Sequence, residues 1–170
     1  MGARHDALCA AAEFVTDLER AANERTEVDP AAVGTVGELS VSPGARNVVP
    51  GSVETSLDIR SIERESMEYL VDAARESLDR IAADRGVETD IEREFDVDPT
   101  PMAPRCRTAL REGAEAAGLE TIDLHSGAGH DSMTVAAVTD AGMLFAPSRD
   151  GVSHSPREWT DWADCAAATR

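Results

Sequence analysis

Apolar side chains recur at three- and four-residue steps from Asp6 to Arg25, with Leu8, Ala11, Ala12, Val15, Leu18 and Ala22 in phase. That period predicts an amphipathic helix. From Gly34 to Val41 the period changes to alternation, with Val36, Leu39 and Val41 set among Gly, Glu and Ser, and Pro43-Gly44 ends the run as a turn. Val53, Thr55, Leu57 and Ile59 alternate with Glu54, Ser56, Asp58 and Arg60, the pattern of a half-buried strand. Met67, Leu70, Val71, Ala74, Leu78 and Ile81 then mark a long helix closed by Gly86, with no capping box at Ser61. Val87 to Val97 alternates loosely and reads as a third strand. The order α-β-β-α-β is that of a ferredoxin-like unit lacking its opening strand, normally an inner one, so a gap or an unpaired edge is expected, and with it a missing upstream segment.

The breaker cluster Asp98-Pro99-Thr100-Pro101 divides the chain into expected domains 1–98 and 99–170. Beyond it a helix is expected from about Pro104 to Ala117, stopped by Gly118, then a short strand at Thr121 to Leu124 and the glycine loop Ser126-Gly127-Ala128-Gly129-His130-Asp131. A helix through Met133 to Val138, a buried strand at Met143 to Ala146, a loop from Pro147 to Pro156 and a last helix carrying Trp159 and Trp162 complete the series. The fold class is α/β (α+β) throughout.

Composition narrows the function classes. There are 33 acidic against 16 basic residues, a net charge of -17, with no Lys. Such an excess repels nucleic acid and anionic membranes, so neither is an expected partner. Acids spread along every segment suggest a protein of a high-salt, halophilic cytoplasm, where screening relieves self-repulsion; a merely acidic protein is the alternative. Aromatics are only 4%, so the cores must be built from small aliphatic side chains, and modest stability is expected. Cys9, Cys106 and Cys165 are too scattered for a metal knot or disulfide framework, and Cys9 and Cys165 read as small buried thiols. With no membrane-length apolar run and no signal peptide, a cytoplasmic location is expected.

Candidate chemistry sits on loops. His130 follows Gly127 and Gly129, whose missing side chains let a ligand approach the backbone, and Asp131 is placed to cap the next helix; the plainer reading is a glycine turn with a solvated imidazole. His154 lies in Asp150-Gly151-Val152-Ser153-His154-Ser155-Pro156, a rigid setting suited to a metal ligand, with Glu158 or Asp150 available to its other ring nitrogen; alternatively it is simply hydrogen-bonded. Arg60 could present a guanidinium fork to a substrate carboxylate with Asn47 fixing a carbonyl or amide, or could only pair with Asp58 on its own strand face. His5 and His125 lack such settings.

Taken in series, Arg4 with Asp6-Ala7-Leu8, Thr35-Val36-Gly37, Pro43-Gly44 through Asn47 to Pro50-Gly51, Leu57 to Arg60, Ser126 to Asp131, Met143, Phe145-Ala146-Pro147-Ser148 and Gly151 through His154 to Glu158 resemble the hydantoinase/carbamoylase family of zinc amidohydrolases. The resemblance implies hydrolysis of the C–N bond of N-carbamoyl amino acids, ureido acids or allantoate. It implies His154 as the last metal ligand, for zinc or else manganese or cobalt. It implies His130, with Gly127 and Gly129, as the loop that contacts substrate and polarises the scissile carbonyl, and Asn47 and Arg60 as lid residues that grip a small carboxylate-bearing substrate. It also implies a homodimer through a ferredoxin-like lid at 1–98, followed by the C-terminal portion of an α/β zinc-hydrolase domain. The family's other metal ligands and its Glu base have no counterpart in the 170 residues, so a truncated, incomplete and inactive site is expected, since catalytic zinc needs about three protein ligands plus water. A non-catalytic dimerising or ligand-binding module derived from the same fold is the alternative. The DNA upstream of Met1, or a co-purifying partner bearing the missing His and Glu residues, would separate these readings.

Overall fold

A computed structural model describes residues 5–170; Arg4, one of the family-matching positions, lies outside the described residues. The chain forms two compact units, Met1–Pro99 and Thr100–Arg170.

In the first unit, helix α1 spans Ala7–Thr26 and starts where the Asp6 carboxylate accepts the Leu8 and Cys9 N–H groups, at 3.2 Å each. Its buried stripe runs through Ala10, Phe14, Leu18 and Ala21. This face is rotated from the expected one, because Phe14 is the largest apolar side chain available and sets the orientation; Leu8 and Ala12 face outward. Cys9 is exposed as well, contrary to its expected burial. Strands β1 (Val33–Ser42) and β2 (Ser52–Arg60) pair antiparallel. Between Val36 and Leu39 the register slips by one residue, since Val36 faces Leu57 while Leu39 faces Thr55. That bulge has a physical purpose. Val36 and Leu39 have opposite parity, and one extra residue returns Leu39 and Val41 to the face of Val36. Two β2 side chains satisfy the bulged backbone: the Glu38 N–H donates to Ser56 Oγ at 3.0 Å, and Thr55 Oγ1 donates to the Glu38 carbonyl at 2.7 Å.

Helix α2 (Arg64–Arg85) buries Ser66, Leu70, Ala74, Ser77 and Ile81, and ends at Gly86, whose left-handed φ of 64° a side chain would resist. Both helices cover the hairpin: Val36, Leu57, Leu78 and Val87 close one cluster around Phe14 and Ile81, and Ile59 and Ala73 close a second around Leu70. Charged groups brace the helix pair. Glu13 accepts from Arg80 and Arg85 at 2.5 and 2.7 Å, and Asp17 accepts from Ser77 Oγ at 2.6 Å and from Arg80. Buried Asp29 ties the α1–β1 connection to the start of α2, accepting from the Ala31 N–H at 3.0 Å and Ser61 Oγ at 2.5 Å.

The expected strand at Val87 to Val97 does not form, because among the described residues the sheet has two strands, β1 and β2. Val87 packs on the core and Arg64 holds Asp96 and Asp98 at 2.5 and 3.1 Å, so the segment runs back along α2 without a ladder. Its Phe95 is 83% exposed.

In the second unit, helix α3 (Pro104–Ala116) begins with Pro at a position where a missing N–H costs nothing and is followed by Gly118 at φ 72°. The Ala103 N–H donates to the Ala141 carbonyl at 2.9 Å, and Gly142 lies so close to Cys106 that a Cβ would come within 2.8 Å of it. Asp123 accepts from Arg107 and Arg111 at 3.1 and 2.8 Å. The expected strands at Thr121 to Leu124 and Met143 to Ala146 are also absent, for the same reason: extended chain becomes sheet only beside another strand. Helix α4 covers Asp131–Ala136, earlier than Met133 to Val138, and α5 covers Trp162–Ala168, leaving Trp159 outside it. Among the described residues no helix is long and apolar enough to cross a membrane.

Candidate functional site

Asn47 and Arg60 belong to the first unit. The residues 43–51 that link the strands carry Asn47 on an exposed turn, closed by the Val48 N–H donating to the Ala45 carbonyl at 3.3 Å. Arg60 ends β2 opposite Val33. The two therefore sit at opposite ends of the hairpin, separated by a ladder of about 26 Å at roughly 3.3 Å per residue. Arg60 donates from Nε and Nη2 to the two carboxylate oxygens of Asp58 at 2.7 and 2.5 Å. That ion pair holds the Asp58 carboxyl below its ordinary pKa and raises Arg60. The fork is thus preformed for a carboxylate, with Asp58 filling it.

His130 and His154 belong to the second unit. His130, rather than Asp131, occupies the cap position of α4, in an extended conformation and with no capping bond from its side chain, and Asp131 is already in the first turn. The six-residue helix is held instead by the Met133 N–H on the His130 carbonyl at 2.9 Å. The imidazole is fixed on two sides. Its Nε2 lies 2.7 Å from Ser126 Oγ, and its ring packs T-shaped with Phe145, centroids 5.7 Å apart at 67°. A Cβ built on Gly127 or Gly129 would meet nothing within 4 Å. Packing within this unit does not demand glycine there, and what glycine provides is room beside the backbone.

His154 adopts φ 53°, and Asp150 in the same loop φ 58°. Such conformations in residues other than glycine cost on the order of 1–3 kcal/mol and persist where surroundings enforce them. Here the enforcement comes from Glu158, whose carboxylate accepts the His154 backbone N–H at 2.9 Å, and from the Arg149 N–H on the Trp159 carbonyl at 2.8 Å. Glu158 therefore holds the backbone of His154 and not its second ring nitrogen, the role anticipated for it. Among the described residues no hydrogen bond or ring contact joins the two imidazoles. Ser126, Phe145 and the backbone role of Glu158 escaped sequence reasoning; the one available signal was a hydroxyl four residues before a histidine in a glycine turn.

The chain belongs to peptidase family M20/M25/M40, whose pattern matches residues 5–170. Among its relatives, the N-carbamoyl-L-amino-acid amidohydrolase of Paenarthrobacter aurescens is 44% identical over 169 residues, 99% of this chain and 40% of that protein. The allantoate amidohydrolase of Bacillus subtilis is 36% identical over 126 residues, 74% of this chain and 31% of that one. A hydantoinase/carbamoylase family amidase from Burkholderia vietnamiensis superposes with a TM-score of 0.90 at 34% identity, over 99% of this chain and 40% of its own. The solved structure of AtUAH in complex with glyoxylate gives 0.90 at 31%, again over 99% and 40%. The chain spans about two fifths of the length of the relatives it matches most fully. Amidohydrolases of this family usually bind divalent metals. The donors present do not fit such an ion by themselves, because among the described residues no group of three or more His, Cys, Asp or Glu side chains could hold one.

Proposed function

We propose that these 170 residues supply the substrate-gripping and last-ligand portion of an amidohydrolase that cleaves the C–N bond of N-carbamoyl amino acids or related ureido acids, and that they hydrolyse nothing by themselves. The observation that carries this reading is the match to an N-carbamoyl-L-amino-acid amidohydrolase over 99% of the chain. The roles follow from the side chains. His130, oriented by Ser126 and Phe145 beside two glycines where a Cβ would meet nothing within 4 Å, is the group that polarises the scissile carbonyl. His154 is a ligand for zinc, manganese or cobalt, completed by donors outside these residues. Arg60 takes the substrate carboxylate by exchanging it for Asp58, and Asn47 holds a carbonyl or amide. The glyoxylate named in the AtUAH structure is itself a carboxylate, in keeping with that chemistry.

Opposite placement of Asn47 and Arg60 on one hairpin supports the homodimer through a ferredoxin-like lid at 1–98. If two copies of β1 pair antiparallel at their outer edges, the far end of one hairpin meets the near end of the other. Asn47 of the partner subunit then lies beside Arg60, across about two and a half strand spacings, or roughly 12 Å. The test is an assay of the purified chain with zinc and N-carbamoyl amino acids. No ammonia release is expected; zinc-dependent release would overturn the proposed inactivity. Mixing with a separate polypeptide that carries further His, Asp and Glu donors should produce activity, and Arg60→Ala in that mixture should raise KM at least tenfold.

A further inference from the structure

We infer that Ser126 is a positioning residue that fixes His130 as the neutral tautomer with its proton on Nδ1. The argument rests on the partners of one hydroxyl. Ser126 Oγ has a single proton to give and three polar neighbours: the Ala128 N–H at 3.2 Å, the Ala128 carbonyl at 3.5 Å and His130 Nε2 at 2.7 Å. The N–H can only donate, so Oγ accepts there. The proton then goes either to the carbonyl, at the outer limit of a hydrogen bond, or to Nε2, at the length of a strong one. With the imidazole proton on Nε2, Oγ would accept twice and its own proton would be left to the 3.5 Å carbonyl; sending that proton to Nε2 instead gives it an acceptor at 2.7 Å. It requires a lone pair on Nε2, so the imidazole proton is on Nδ1, since the bond made by one ring nitrogen sets the state of the other.

The consequence is directional. Among the described residues no hydrogen bond holds Nδ1, so its N–H is available to an oxygen arriving beside Gly127 and Gly129. Phe145 packs T-shaped against the ring, and the bond to Ser126 favours the orientation that keeps Nε2 on the hydroxyl. A hydroxyl four residues upstream therefore decides which face of the imidazole is the donor. This inference rests on the reading of His130 as the carbonyl-polarising group only for its catalytic use; the tautomer itself is a property of this chain.

The experiment is two-bond nitrogen–proton correlation spectroscopy of the histidine rings in the 170-residue chain above the pH at which imidazoles protonate. His130 is expected to show the Nδ1–H pattern. Ser126→Ala is expected to shift the population toward Nε2–H, and Ser126→Thr, which keeps the hydroxyl, to restore the parent pattern, with the His5, His125 and His154 signals unmoved as the check on folding. A parent His130 already in the Nε2–H form, or a tautomer unchanged in Ser126→Ala, overturns the inference. The catalytic reading fails separately. In the complemented enzyme Ser126→Ala is expected to lower kcat about tenfold with KM held; a tautomer that shifts while kcat stays constant retains the positioning role and removes His130 from the chemistry.

Discussion

Residues 5–99 bury Phe14, Leu18, Leu70 and Ile81 between two long helices and a hairpin, whereas Ala141 is the one buried apolar side chain described in residues 100–170. The two units have similar kinds of sequence, with apolar residues in periodic runs. What separates them is the element those runs form. A helix satisfies its own backbone, and two helices on a hairpin close a core within their own stretch of chain. A strand satisfies neither backbone nor side chains without a neighbour, and the strand-like runs of the second unit pair with none among the described residues. Ile122 at 79% exposure and Trp162 at 80% are what that lack of neighbours leaves behind.

The contrast can be broken by mutation, and the largest expected effect lies in the first unit. Leu70 is fully buried, so Leu70→Ala should destabilise the chain by about 2–5 kcal/mol, while exposed Ile122→Ala should change stability by no more than about 0.5 kcal/mol. Urea denaturation followed by far-ultraviolet circular dichroism measures both. Both tryptophans lie in the second unit, so their fluorescence should miss the cooperative transition that the helices show; coincident transitions would break the comparison. Next comes Asp29→Ala, which strands the Ser61 hydroxyl and the Ala31 N–H and should cost about 1–3 kcal/mol.

A smaller effect per group is expected from acid. Ser61 and Ser66 hold the Asp29 carboxyl below its ordinary 3.8, Ser77 and then Arg80 do the same for Asp17, and Arg80 with Arg85 lowers Glu13 from 4.5. Groups whose native pKa is depressed add stability above their unfolded values and lose it as pH falls through the native ones. Helical signal in a fixed, submaximal urea concentration should therefore be flat from about pH 5 to 8 and fall below about pH 4. The smallest effect is at Arg60, whose exposed pair with Asp58 is worth no more than about 1 kcal/mol. Arg60→Ala should leave the denaturation midpoint nearly unchanged, so its effect on substrate affinity in a complemented enzyme can be read without a folding correction.

The same division governs what was legible in the sequence. The periods of α1, α2 and the hairpin can be read from Leu18, Leu70, Ala74, Leu57 and Ile59, because the partners are a few dozen residues away in the same chain. Alternation at Val87 to Val97 and apolar runs at Thr121 to Leu124 and Met143 to Ala146 announce strand propensity, and propensity without a partner yields extended chain. The bulge at Val36 and Leu39 was legible in hindsight, as two apolar residues of opposite parity. The loop histidines could be located by composition, but Ser126 on His130 and Glu158 on the backbone of His154 are products of turn geometry, which spacing alone does not encode.

The segment after Gly86 reads Val-Glu-Thr-Asp-Ile-Glu-Arg-Glu-Phe-Asp-Val, with every even-numbered position from Glu88 to Asp96 acidic. An extended, unpaired run ending in exposed Phe95 and Val97 is the kind of edge on which chains stack into aggregates. Stacking copies in register would line those carboxylates up against one another on a single face, where like charges oppose pairing. Apart from Asp96, which Arg64 holds, the acids thus act as gatekeepers while the segment has no strand beside it. Because that repulsion is screened by salt and lost on protonation, the chain should be most prone to self-association in concentrated salt at acid pH.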